Sequence, residues 1–155
     1  MDMAWLLAAL IAQSEVTIEM RVGIVGGIVA PTVKLELEIA LEKDKDEATV
    51  RFMRLKDNKP VVKKGTMTRK EVEALLKDIE KVWDLPKEDP EGCEDIYGLD
   101  TGLHVQIDRQ SWRNGGPGGC VHGQSKVQAT EEQKKTFKKI VDKVSQIAEK
   151  HASQE

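Results

Sequence analysis

Aromatic side chains are scarce in this chain. Three Trp, two Phe and one Tyr stand among 155 residues, so any core must be mostly aliphatic, and there are few rings on which bases could stack. Clustered positive charge is missing too. With 24 Lys and Arg against 27 Asp and Glu the formal net charge is −3, and no stripe of bases offers what binding to a phosphate backbone needs. Nucleic acid is therefore not an expected partner. A helical membrane span needs about 20 apolar residues, and the run from Met3 to Ala12 has ten. The mature chain should carry no such span. Neither C-x₂₋₄-C nor H-x₃₋₅-H spacing occurs, so the usual announcement of a zinc site is absent. A phosphate cradle is excluded as well: from Gly118 the chain reaches Gly123 but continues Gln124-Ser125, without the lysine. No cofactor is expected.

What is present fits a single domain, since a chain of this length with 39% apolar and 33% charged residues can bury one core. Its apolar start, "MAWLLAALIA", suits the hydrophobic region of a secretory signal, and Ala12-Gln13-Ser14 supplies small residues for cleavage. Residues 1–14 are accordingly expected to be a signal peptide and residues 15–155 the exported domain, periplasmic or secreted. Met1-Asp2 lacks the customary positive charge. The alternative is a cytoplasmic protein whose first helix packs on the core. In an oxidising compartment Cys93 and Cys120 would form a disulfide, closing about 27 residues and contributing about 3 kcal/mol on the chain-entropy estimate.

Strand periodicity is clear in two places. Val16, Ile18, Met20, Val22 and Ile24 alternate with polar residues, and so do Val33, Leu35, Leu37, Ile39 and Leu41. Between them Gly26-Gly27 marks a turn or a bend. A third strand is expected over 48–55, broken by the "KDNKP" of 56–60, and a fourth over 103–107, with a return strand near 125–128. Thr68-Arg-Lys-Glu71 and Thr130-Glu-Glu-Gln133 are capping boxes. Each precedes an apolar face at helical spacing: Val72, Leu75, Leu76, Ile79, Val82 and Trp83 up to Pro86, and Phe137 through Ala148. The expected fold is α+β, an antiparallel sheet of about five to six strands with two amphipathic helices packed on one face. Aligning the two caps raises a ββα-type internal repeat as a further expectation.

Candidate chemistry is thin. Residues 84–100 hold seven acids against Lys87 alone, which reads as a solvated connection. Asp100-Thr101-Gly102 matches the aspartic-peptidase triplet, but one copy lacks the second carboxylate that chemistry shares its proton with, and the three residues are ordinary turn formers. A metal reading gathers His104, His122 and Cys120, with Asp108 as an acid in a metal-assisted hydrolase. Ser111 and Ser125 lack a nucleophile elbow. Recognition remains. In "SWRNGGPGGCVHGQS" (111–125) Trp112, Arg113 and Asn114 lead into a glycine-rich stretch, and Trp and Arg are the residues most enriched at binding hot spots. The expected function is a non-enzymatic protein- or peptide-binding module, inhibitor-like, with Trp112 exposed on a protruding loop. Its alternatives are the hydrolase and a structural envelope or accessory protein. A second copy is a further candidate to cover the open sheet face.

Overall fold

A computed structural model describes residues 13–25, 32–115 and 123–153. Six strands form one antiparallel sheet: β1 (Val16–Val22), β2 (Leu35–Leu41), β3 (Glu47–Lys56), β4 (Lys59–Thr68), β5 (Thr101–Ile107) and β6 (Gln110–Arg113). Their spatial order is β4-β3-β2-β1-β5-β6. The chain thus meanders outward from β1 to the β4 edge, then returns to the other side of β1. Two helices complete the fold, α1 (Arg69–Asp78) after β4 and α2 (Glu131–His151) after β6, with a 3₁₀ turn at Glu80–Asp84 after α1. This is the α+β architecture expected from the sequence.

Alternation selects the face that is covered. Val16, Ile18 and Met20 on β1, Leu37, Ile39 and Leu41 on β2, and Leu103, Val105 and Ile107 on β5 are all buried, because period-two alternation puts them on one side of the pleat. Over them lie Val72, Leu75 and Leu76 of α1 and Phe137, Ile140, Val141 and Val144 of α2. Fully burying each such aliphatic side chain contributes about 1.5–3 kcal/mol. Both helices start as the capping boxes require: the Glu71 and Gln133 amides each donate to the Thr hydroxyl at 3.1 Å, and the Thr68 and Thr130 amides donate back to the Glu and Gln side chains at 2.9 Å. α1 gives way to the 3₁₀ turn after Asp78, so Val82 and Trp83 belong to that turn rather than to one long helix.

The structure departs from expectation at two places. "KDNKP" does break the third strand, at a two-residue turn of the primed type made by Asp57 and Asn58, at φ 54° and 61°, but an unexpected strand follows it, β4, which returns along the whole of β3. The partner of β5 is not near 125–128 but comes directly after the Asp108-Arg109 turn, as β6. Ser125 instead uses its hydroxyl to accept the Asp89 and Val127 amides. The ββα repeat is not confirmed: four strands precede α1, whereas two lie between α1 and α2. Gly26-Gly27 lies outside the described residues.

The acidic connection is also better organised than a solvated linker. Asp95 accepts the Gly98 and Asp100 amides, Glu94 accepts the Ser125 amide and the Gln128 side chain, and Asp100 accepts the Ile24 and Val25 amides. These carboxylates satisfy backbone donors that no strand or helix pairs. Among the described residues no helix is long and apolar enough to cross a membrane.

Candidate functional site

With both helices on one face, no helix or strand among the described residues packs on the other. The register aligns its outward side chains into rows. One row crosses all six strands: Arg113 on β6, His104 on β5, Glu19 on β1, Glu38 on β2, Arg51 on β3 and Lys64 on β4. The next carries Gly102, Arg21, Glu36, Met53 and Val62. Glu19 and Glu38 stand directly opposite each other, as do Arg51 and Lys64, and like charges in that position are destabilising. Within the row, among the described residues, the one acid–base contact is Glu19 to His104 at 4.0 Å, an ion pair only when the imidazole is protonated.

A groove of about 220 Å³ runs over this face between β2 and β6, lined by Glu19, Arg21, Glu36, Glu38, His104 and Arg113. A second hollow of about 500 Å³ shares His104 and Arg113 and is closed by Lys87, Glu88, Glu91 and Ser111. Arg113 and His104 therefore sit on the ridge between the two.

The three residues of the expected binding stretch separate. Trp112 is a correction: it is 2% exposed, not presented on a loop. Its indole N–H donates to the Leu85 carbonyl at 3.0 Å and its ring lies 6.1 Å from that of Phe137. The physical reason is parity, since β6 pairs Trp112 with Val105 and so turns it to the helix-covered side. Asn114 is buried as well, its side chain accepting the Leu103 amide at 2.8 Å and donating to the Thr101 carbonyl at 3.0 Å. Together they clamp the end of β6. Arg113, between them, faces the groove.

His104 shows what the ridge can do chemically. Burial and then the Arg113 guanidinium push its pKa below the ordinary histidine value, against the opposing pull of Glu19 and Glu91. It is neutral at pH 7. Arg113 Nη2 lies 3.3 Å from His104 Nδ1, and because a guanidinium can only donate, this contact is a hydrogen bond in the tautomer that carries its proton on Nε2. In that tautomer Nε2–H faces Ser111 Oγ at 3.1 Å. A general base would need the reverse tautomer, with Nε2 free to take the serine proton. The Ser111-His104-Glu19 trio thus resembles a hydrolytic triad in composition but not in proton placement. Its Ser111 hydroxyl has its own hydrogen free to point into the hollow.

The metal alternative does not gain a site. His122 and Cys120 lie outside the described residues, as does the Cys93 to Cys120 pairing; no group of three metal-ligating side chains occurs among the described residues. Asp108, the proposed acid, caps the chain beside β1 by accepting the Glu15 amide at 3.0 Å. That bond and one from Ser14 hold its carboxyl below the usual aspartate range. Cys93 is half-buried and free of any disulfide within the described residues. Sequence reasoning missed Glu19, Glu38 and Ser111 as neighbours of Arg113. The alternation of Glu19 and Glu38 with buried residues was a readable signal, but their meeting depends on register.

No protein-family model and no curated protein matches this chain.

Proposed function

We propose that this protein is a non-enzymatic module that binds a protein or peptide on the helix-free face of its sheet, with Arg113 as the central contact. The observation that carries this reading is the six-strand row of charged and polar side chains, left largely unpaired and bordered by a groove. Glu19 and Glu38 meet as like charges on an open face, with Arg51 opposite Glu38 on its other side; a partner that brings positive charge to them relieves the repulsion. Trp112 and Asn114 contribute by fixing β6, so that Arg113 is presented from a rigid strand rather than from a loop. The metal-assisted hydrolase alternative is weaker because Asp108, its acid, is taken up by the Glu15 amide at the start of β1. In the same reading the domain is exported after removal of residues 1–14, and Cys93 pairs with Cys120 once outside the reducing cytosol.

Selection of a displayed random peptide library against the folded domain tests the binding reading. Enriched peptides should bind the wild type and lose about tenfold in affinity on Arg113→Glu, while Lys139→Glu on α2 leaves them unchanged. Failure to enrich any sequence, or equal sensitivity to both variants, contradicts it. Export is tested by intact mass of the expressed full-length chain: loss of residues 1–14 with thiols protected until reduction is expected, and a full-length chain with two free thiols contradicts it.

A further inference from the structure

The free edge of β4 is a second surface, distinct from the Arg113 groove. In a two-residue hairpin the residues flanking the turn, here Lys56 and Lys59, exchange both backbone bonds. Counting from that pair, the amides and carbonyls of Val61, Lys63 and Gly65 point at β3. Those of Val62, Lys64 and Thr66 point away from the sheet. Two bonds confirm the phase: the Leu55 amide of β3 donates to Lys34 on the opposite side, and the outward Thr68 amide is taken by the Glu71 carboxylate. No bond to the outward groups of Val62, Lys64 or Thr66 occurs among the described residues. This is a strand edge with the ladder half-made.

The side chains around it are almost all cationic. Between Glu47 and Thr68 there are six bases, Arg51, Arg54, Lys56, Lys59, Lys63 and Lys64, against two acids, Glu47 and Asp57, in a chain whose overall charge is negative. Arg51 opposes Lys64 and Lys56 opposes Lys59. Sequence inspection sees no basic run because the hairpin, not the order of residues, brings these charges together. Val61 and Val62 are 40% and 44% exposed on the two sides of the strand.

We infer that the β4 edge accepts an extended acidic peptide segment, which adds a seventh strand by pairing with the outward backbone groups of Val62, Lys64 and Thr66. Backbone bonds supply the attachment, and alternating carboxylates on one face of the incoming strand meet Lys59 and Lys63, while its apolar residues on the other face cover Val62 beside Lys64. A second copy is a poor occupant, since pairing two β4 edges would bring Lys63 and Lys64 against their own counterparts. The inference shares with the proposed function only the class of partner, and it uses a different surface.

The test is fluorescence anisotropy of the full domain with a labelled octapeptide of alternating glutamate and valine, together with two versions N-methylated on the valines or on the glutamates. The parent peptide should bind, one of the N-methylated versions should bind about tenfold more weakly, and the Lys63→Glu/Lys64→Glu variant should lose a similar factor. Thr66→Pro, which removes an outward amide without touching the β3 ladder, should also weaken binding while keeping the charge. Equal binding of both N-methylated peptides would mean attraction by charge alone and would overturn the inference. So would absence of binding, or a concentration-dependent dimer that Lys63→Glu/Lys64→Glu dissolves. Sensitivity to Arg113→Glu but not to the lysine variant would place the peptide in the groove, sinking the edge and sparing the earlier proposal.

Discussion

Three single residues show how tightly local chemistry is tied to the sheet. Arg69 donates from Nε to the Lys45 carbonyl, from Nη1 to Ser14 and from Nη2 to Glu42, so one guanidinium joins the start of β1, the β2–β3 turn and α1. Charge-assisted bonds of this kind are worth about 1.5–3 kcal/mol each at most, and Arg69→Ala is expected to lower the unfolding free energy by an amount within that range overall, read as a lower denaturant midpoint. An unchanged midpoint would show the three bonds to be replaced by water. Gly65 is required for a different reason: a Cβ there would lie 1.7 Å from the His151 carbonyl oxygen. Gly65→Ala must push the C-terminal end of α2 off β4, costing about 1–3 kcal/mol by overpacking, measurable as a shift in the thermal midpoint. Carboxylates complete the set. The Ser125 amide holds Glu94, and the Thr68 amide holds Glu71, below the ordinary glutamate value, as the Glu15 amide does Asp108. Groups depressed on folding stabilise above their unfolded pKa and lose that contribution as pH falls through the folded one. His104, also depressed, acts in the same direction from its ordinary value of 6.5 downward. Thermal midpoints should therefore begin to fall below about pH 6.5 and drop more steeply below about pH 4.5; a flat profile across that span would contradict the bonding described.

At the scale of elements, legibility in the sequence followed how local the determining physics is. Both capping boxes, the β1 and β2 alternation and the face of α2 were readable because each is decided within a few residues. β4 was not, since "VVKKGTMT" has no alternation: one of its faces is covered only at Gly65 and Met67 and the other is open throughout, so burial imposes no period. The return strand was misplaced because Gln110-Ser-Trp-Arg113 is short, and its pairing is set by the turn at Asp108, at φ 51°, rather than by a run of apolar residues. Trp112 was misread for the same reason. Once the register is known its parity follows, and Trp112→Ala is expected to cost about 3–5 kcal/mol as a core truncation where a contact residue would cost almost nothing in stability. Urea denaturation separates the two outcomes.

For the whole molecule, the layout is one covered face and one open face, with a charged row across the open one and a cationic strand at its edge. The fold class was readable from periodicity and caps; the row was not, because it is assembled from six strands by registers that no single stretch encodes. Residue type points to Trp112, Arg113 and Asn114 together; the structure buries the first and the last and gives Arg113 its surroundings: His104 beneath it, Ser111 beyond, Glu19 and Glu38 across the groove. The central claim is that this face, rather than the helix side, is the contact surface. A charge-reversal comparison on peptides selected against the domain tests it most directly, pairing Arg113→Glu and Glu38→Lys on the open face with Lys135→Glu and Lys139→Glu on α2, each variant first shown to be folded by circular dichroism. Binding should be lost in the first pair and unchanged in the second. Loss confined to the α2 pair, with the open-face variants binding as the wild type does, would contradict it.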